Sequence, residues 1–373
     1  MKLALDKLIG RRGFSRVYVA RVTSSSSTNS EVAVKKMHIT KHVQNSVLRH
    51  EACAYILLAG HSSVPEVYAW GRSQYYDYLA LELLGEDVFS VRDGLTLRNF
   101  VILACAMLDA LEHVHSRGIV HCDVKPGNFL FSRAAPGYQL KLIDFGLAIP
   151  FRTGASEPER STGHLRGTEL YASIPAHMHC TLARRDDMES LAYTLVHLAC
   201  GRLPWAHPSV NILHRKVAWR AEAAGVPPVL AQFVASTRAL GFDAEPEYAH
   251  WRAAFRALVP LRDDDQFNPA DEGLRVIDWA PQIQPQPQPQ IQILQNPPSS
   301  DSDSDSIPSS DDGWVPTSVW PAPVSIRLSH LFADGDEQAV VRDSERLERI
   351  EEPPEMGKAW LVQCDRPERM MDF

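Results

Sequence analysis

No apolar run in the 373 residues approaches the roughly 20 that a bilayer span requires, so no membrane-crossing segment is expected. Six cysteines (Cys53, Cys105, Cys122, Cys180, Cys200 and Cys364) lack the paired spacing of a zinc site or a secreted disulfide scaffold, and a reducing compartment, cytoplasm or nucleus, follows. Asp6 interrupts the apolar residues near the start, which argues against a secretory leader. A basic excess is missing as well. Residues 281–373 carry 17 Asp/Glu and 7 Lys/Arg, net −10, so the overall −8 leaves +2 for residues 1–280. General nucleic-acid binding, which relies on a basic footprint, is therefore not expected.

What is present is a chain with 45% hydrophobic residues, long enough for a core divided between two lobes. Short β-branched stretches predict strands near Arg16–Val22, Glu31–Met37, Val64–Trp70 and Tyr78–Leu84, with an amphipathic helix near Gln44–Ala59. The polar run Ser24–Ser30 reads as a hairpin loop between two of them. From Leu97 the period becomes helical: Phe100, Leu103, Ala104, Met107, Leu108, Leu111 and Val114 share a face, and Gly118 is a natural stop. Further helices are expected at Met188–Ala199, Pro228–Thr237 and Tyr248–Leu258. The globular pattern ends near Trp279. A Gln/Pro/Ile stretch and a Ser/Asp tract then read as a linker over 281–313 that cannot bury enough apolar surface to fold. Residues 314–373 are expected to be a mostly disordered tail, with a short helix conceivable at Val340–Glu351 and acidic phosphorylation sites at Ser302 and Ser304.

The densest chemistry lies in His121-Cys122-Asp123-Val124-Lys125-Pro126-Gly127-Asn128, followed by Asp144-Phe145-Gly146. Moving a phosphoryl group to a hydroxyl needs a carboxylate to orient or accept the acceptor's proton, a cation at the γ-phosphate, and oxygen ligands for magnesium. Asp123, Lys125, and the pair Asn128 and Asp144 fit those roles, in the order a protein kinase uses them. Val32-Ala33-Val34-Lys35 supplies a strand lysine for the α- and β-phosphates, with Glu51 on the following helix as its ion-pair partner. Gly10 and Val17 fit a glycine-rich phosphate loop, and Ala33 would line the same pocket. Arg12 and Ser15 stand where the second and third glycines are expected, and Gly13 comes one place late. Leu81-Glu82-Leu83-Leu84 would link the lobes, with backbone groups at Glu82 and Leu83 facing adenine.

Glu82-Leu83-Leu84-Gly85, Lys125–Leu130, Gly167-Thr168-Glu169-Leu170-Tyr171-Ala172-Ser173-Ile174 and Arg184-Arg185-Asp186-Asp187-Met188-Glu189-Ser190-Leu191 together resemble the casein kinase 1 family. The last two segments discriminate: Ser173-Ile174-Pro175 stands where most kinases carry Ala-Pro-Glu. The resemblance runs from about Gly10 to Trp279 and includes Leu203-Pro204-Trp205 and Phe242-Asp243-x-x-Pro246-x-Tyr248. It implies an α+β, bilobal protein kinase fold over residues 1–280: a small antiparallel sheet with one helix to about residue 84, then a larger, mainly α-helical lobe. It also implies ATP and Mg2+ as cofactors, protein substrates with Ser or Thr acceptors, and a monomer. Thr168 would align the acceptor with Asp123 and Lys125, and Asp187 would tie the catalytic loop to the large lobe. Three departures carry consequences. Cys122 replaces an Arg that clamps a phosphorylated activation loop in many kinases, so that control is not expected. Leu170 replaces an Arg that helps the family bind a phosphate already on its substrate, and Arg166, Arg184 and Arg185 read either as a substitute anion site or, more simply, as a charged surface. Of the family's basic segment after Leu-Pro-Trp only His214-Arg215-Lys216 remains. The altered loop at Gly10–Ser15 leaves a second function open, an inactive or weakly active ATP-binding scaffold.

Overall fold

Alternating apolar and polar side chains drive the first part of the chain into strands, because each strand can bury one face only. The computed structural model describes residues 3–12, 15–22, 31–38, 46–73, 75–133, 138–151, 163–206, 211–262, 264–280 and 362–363. All of them lie in one compact unit. The expected Ser24–Ser30 loop, Ser302, Ser304 and the Val340–Glu351 helix fall outside the described residues.

Strands β1 (Leu3–Arg12), β2 (Ser15–Val22), β3 (Glu31–His38), β4 (Val67–Arg72) and β5 (Tyr76–Glu82) form an antiparallel sheet in the order β1-β2-β3-β5-β4. The first strand was not among the expected ones: its first six residues carried no assignment, and from Ile9 the chain read as a nucleotide loop or a plain strand-turn-strand. It pairs with β2 as far as Arg12 opposite Ser15, with irregularities between Leu5 and Gly10. The strand expected from Val64 begins at Val67 instead: Val64 closes a turn onto His61 O, and Pro65 has no N–H for a ladder. Helix α1 (Val47–Leu58), between β3 and β4, starts at Ser46, whose hydroxyl accepts Arg49 N–H.

From Leu97 onward helices dominate. Helix α2 (Leu97–Ser116) is capped by Thr96 and carries the seven expected apolar residues, all buried. It also buries Val101, Cys105 and Ala110, so it is the central helix of the lobe and not a one-sided one. Gly118 ends it at φ +70, a conformation L side chains resist. Then come β6 (Ile119–Val120), β7 (Phe129–Phe131), β8 (Leu140–Leu142) and β9 (Ile149–Pro150), which pair as β6 with β9 and β7 with β8. These two ribbons present the loops that carry the chemistry. Helices α3 (Ile174–His177), α4 (Arg184–Cys200), α5 (Ile212–Ala218), α6 (Pro228–Ala239), α7 (Tyr248–Arg256) and α8 (Val276–Trp279) complete the lobe. No described helix is long and apolar enough to cross a membrane.

Helix α4 starts four residues before the expected Met188 because its first turn is charged yet buried. Asp186 accepts Ala183 N–H at 2.7 Å and Ser173 Oγ–H at 2.5 Å, which caps the helix from within. Burial pushes the Asp186 carboxyl up to about 7. The main core then runs through both lobes from Leu48 and Tyr55 to Trp251 and Phe255. Trp205 is fully buried, edge-on to Tyr193 and Trp219, and its indole N–H bonds Leu170 O at 2.8 Å. Trp205→Ala should therefore cost about 3–5 kcal/mol of stability in urea unfolding at unchanged m-value; a loss under 1 kcal/mol would contradict this packing.

Candidate active site

The turn after β6 carries the expected base, and one side chain holds its backbone. Asp187, buried near the start of α4, accepts His121 N–H at 2.7 Å on one oxygen and Cys122 N–H at 2.8 Å on the other. His115 adds a third contact at 2.9 Å, and its other ring nitrogen meets the Tyr248 hydroxyl. Cys122 consequently sits at φ +67, an uncommon conformation for a side-chain-bearing residue. His121 braces the same turn: Nδ1 accepts Asp123 N–H at 3.2 Å, which leaves the hydrogen on Nε2 to donate to Ile143 O at 3.0 Å.

Asp123, 8% exposed, is surrounded by donors. Lys125 Nζ lies 2.6 Å from Asp123 Oδ2 and 2.6 Å from Thr168 Oγ1. Thr168 donates both its N–H (2.9 Å) and its hydroxyl (2.6 Å) to Asp123 Oδ1. Asn128 Nδ2 donates to Asp123 O at 2.9 Å. The three residues expected to act in catalysis, Asp123, Lys125 and Thr168, thus form one hydrogen-bonded group. Gly167 makes this approach possible, since at φ +98 a Cβ there would stand 2.5 Å from Cys122 O.

Across the cleft, Lys35 Nζ is 2.7 Å from Glu51 Oε2 and 2.8 Å from Asp144 Oδ1, joining β3, α1 and the loop after β8. Burial lowers the Lys35 pKa, but Glu51 and then Asp144 outweigh it and hold the ammonium above its ordinary value. Asp144, at φ +71, donates its N–H to the Tyr55 hydroxyl at 3.0 Å. Phe145 is buried edge-on between Tyr55 and His121, at 5.0 and 4.8 Å. Strand register puts Gly10 opposite Val17 and Val17 opposite Lys35, so the expected loop residues share a cross-strand row with the lysine. Ala33 lies two residues along, opposite Leu81. Lys36 points to the other face, 3.8 Å above the Tyr76 ring.

Glu82 does more than its expected backbone role. Its N–H bonds Glu66 O at 2.9 Å, and its carboxylate meets Lys141 Nζ at 3.2 Å and Ser132 Oγ at 3.1 Å. The side chain ties the inter-lobe link to the large lobe, and Leu83 follows beyond the end of β5.

The donor chemistry fits a small hard cation. Asn128 turns its NH2 toward Asp123 O, which aims its amide oxygen the other way, and Asp144 contributes a carboxylate. Magnesium needs only one or two protein oxygens when phosphates and water complete its shell, and among the described residues no larger His/Cys/Asp/Glu cluster exists. Lys35 supplies the cation that phosphates require.

Several expectations need correcting. Arg184 and Arg185 are neither an anion site nor solvated surface charge. Arg184 is 6% exposed, donates to Asp243 O and lies over Phe151, and Arg185 lies over Phe242. Arg166 bonds Leu147 O. Lys216 is no remnant of a basic surface: it is fully buried, donating to Glu169 O (3.0 Å) and Ala172 O (2.6 Å) and facing His177 Nε2 at 3.1 Å. Burial brings its pKa down to about 7. No pattern flagged it, since a lysine on a short polar helix normally faces water. Tyr55 and His115 were missed for a related reason, as each sits in a helix stripe that reads as core. Cys122 is buried, and burial followed by the nearby Asp187 carboxylate pushes its thiol pKa well up, so it is no reactive thiolate.

Gly167→Ala should lower turnover at least tenfold by moving Thr168 from Asp123, while Gly94→Ala, with open space around it and no positive φ, should change turnover less than twofold; equal effects would contradict this geometry. His177, held by burial and then by Lys216 at a pKa of about 4, stays neutral in the fold while the unfolded chain takes a proton near 6.5. Its contribution to stability is thus complete above pH 6.5 and lost as pH falls toward 4. His177→Gln should therefore flatten the loss of stability between pH 6.5 and 4 in denaturant titrations, and an unchanged slope would refute the assignment.

A family model described as Protein kinase domain matches residues 3–229, more than half of the chain.

Proposed function

The chain belongs to the protein kinase family, and within it we propose a divergent casein kinase 1-like enzyme that phosphorylates protein Ser and Thr hydroxyls. Its cofactors are ATP and, in this reading, Mg2+, and it works as a monomer in the cytoplasm or nucleus without nucleic acid or membrane. The observation that carries the reading is Lys125 bridging Asp123 and Thr168. A lysine two residues after the base, gripped by a threonine from the segment that faces the acceptor, suits a short aliphatic hydroxyl.

The subfamily reading is supported by how the substrate-facing segment ends. Ser173 caps α3 and donates to Asp186, and Ile174 N–H bonds Glu189 Oε1 at 3.1 Å, with Arg238 at 3.8 Å from the same oxygen. The carboxylate that anchors this segment thus comes from α4, as suits a chain with Ser-Ile-Pro where Ala-Pro-Glu is usual. Leu170 packs against the core and gives its carbonyl to Trp205, which fits substrates that carry no earlier phosphate.

Bound ATP would supply the phosphoryl group, and magnesium held by Asn128 and Asp144 would offset the negative charge of its phosphates. Asp123 orients the acceptor hydroxyl and takes its proton as the new bond forms. Thr168 and Asn128 fix that carboxylate, and Lys125 places positive charge beside the transferring group. Lys35, locked by Glu51, would position the α- and β-phosphates, and Asn128 and Asp144 would hold the metal.

Arg12 and Ser15 in the phosphate hairpin motivate a second reading, a scaffold that binds nucleotide without transferring it. Magnesium, labelled ATP and an acidic casein-like substrate separate the two. Transfer should fall at least a hundredfold in Asp123→Asn with nucleotide binding retained. No transfer above that variant would overturn the enzyme reading, and phosphotyrosine in the product would overturn the acceptor class.

A further inference from the structure

The small-lobe sheet has two apolar faces, and the elements that account for one leave the other unexplained. Leu79 and Leu81 of β5 face α1 and join the main core with Tyr55. The intervening residues form a separate cluster on the opposite face: Ala20, Val32 and Val34, then Ala69, Tyr78 and Ala80. Register aligns Val34, Ala80 and Ala69 in one row across three strands. Each of these three is 0% exposed. A sheet is one layer and buries a face only against a second. Among the described elements, the helix that packs on this sheet is α1, on the other side.

A strand from far along the chain reaches the same place. β10 (Val362–Gln363) pairs antiparallel with β4, Val362 opposite Trp70 and Gln363 opposite Ala69, and so adds a sixth strand at the β4 edge. Ala69 belongs to the apolar cluster, so the added strand borders the face in question. Residues 347–373 flank this strand in the sequence. Their composition suits the surface. Ala359-Trp360-Leu361-Val362 is an apolar run in a segment with 7 Asp/Glu against 4 Lys/Arg, whereas residues 1–84 carry 11 Lys/Arg against 6 Asp/Glu.

We infer that the outer face of the small-lobe sheet is a docking surface for the chain's own C-terminal segment, residues 347–373, which enters by adding Val362–Gln363 to the β4 edge. Main-chain hydrogen bonds fix the register of such an addition, and apolar side chains cover the sheet. An open β4 edge would otherwise be a template for other chains. The docked segment braces the strand that packs against α1, the helix that carries Glu51.

Amide hydrogen exchange on the full-length chain tests this. Val362→Pro with Gln363→Pro removes both N–H groups of the added strand whichever of them bonds β4. Amides of β4 should then exchange at least tenfold faster, with α4 amides unchanged as a control for the fold. Deletion of residues 359–364 should have the same effect, and a synthetic peptide of residues 355–368 should restore protection when added to either variant. Unchanged β4 exchange in both variants would overturn the proposal. Wild-type protection that rises with protein concentration would also overturn it, by assigning the strand to a second copy.

Discussion

The carboxylate of Asp187 is the interaction on which the rest of the site depends. It lies buried where α4 begins, and it accepts two consecutive backbone N–H groups from a turn whose middle residue is in the left-handed region. Without those bonds, two buried donors would lose their partners, at about 1–3 kcal/mol each, and Cys122 would have no reason to remain at positive φ. The turn decides where Asp123 points, and Asp123 decides where Lys125 and Thr168 gather. The large lobe thus supplies a rigid platform at one buried carboxylate, and His115 and Tyr248 orient that carboxylate from two further helices.

Two consequences concern control. Where many kinases place an Arg that meets a phosphorylated loop, Cys122 is buried and points its thiol at Val120 O. Lys35, Glu51 and Asp144 are nonetheless joined, and Phe145 is seated beneath Tyr55. Ion pairs and ring packing hold this arrangement. The segment that faces a substrate is likewise fixed from beneath, by Lys216 at Glu169 and Ala172 and by Glu189 at Ile174. A buried amine that donates to two carbonyls leaves that backbone little freedom.

Much of this was legible in the chain. Strand alternation, the change of period at Leu97 and the stop at Gly118 gave the lobes, because local patterning there agrees with the tertiary fold. Motif spacing singled out Asp123, Lys125, Asn128, Asp144, Lys35 and Glu51, and the fold brings Asp123 to Lys125 and Asn128 and brings Lys35 to Glu51 and Asp144. Legibility failed where a charged side chain is buried. The start of α4 was missed because Arg184–Asp186 is a charged run without apolar periodicity, Lys216 because a lysine usually faces water, and the burial of Arg184 and Arg185 because their aromatic partners Phe151 and Phe242 are distant in sequence.

The sequence alone determined the reaction class: three carboxylates, two cations and an amide at those spacings have few other uses, and their identities are local facts. The tertiary structure decided how they are held. Only folding brings Asp187 under the turn at Cys122, Gly167 against Cys122 O, and Lys216 beneath the substrate-facing segment. Each of these pairs residues more than 40 positions apart, and for such pairs the interaction energy depends on a distance that composition and periodicity do not encode.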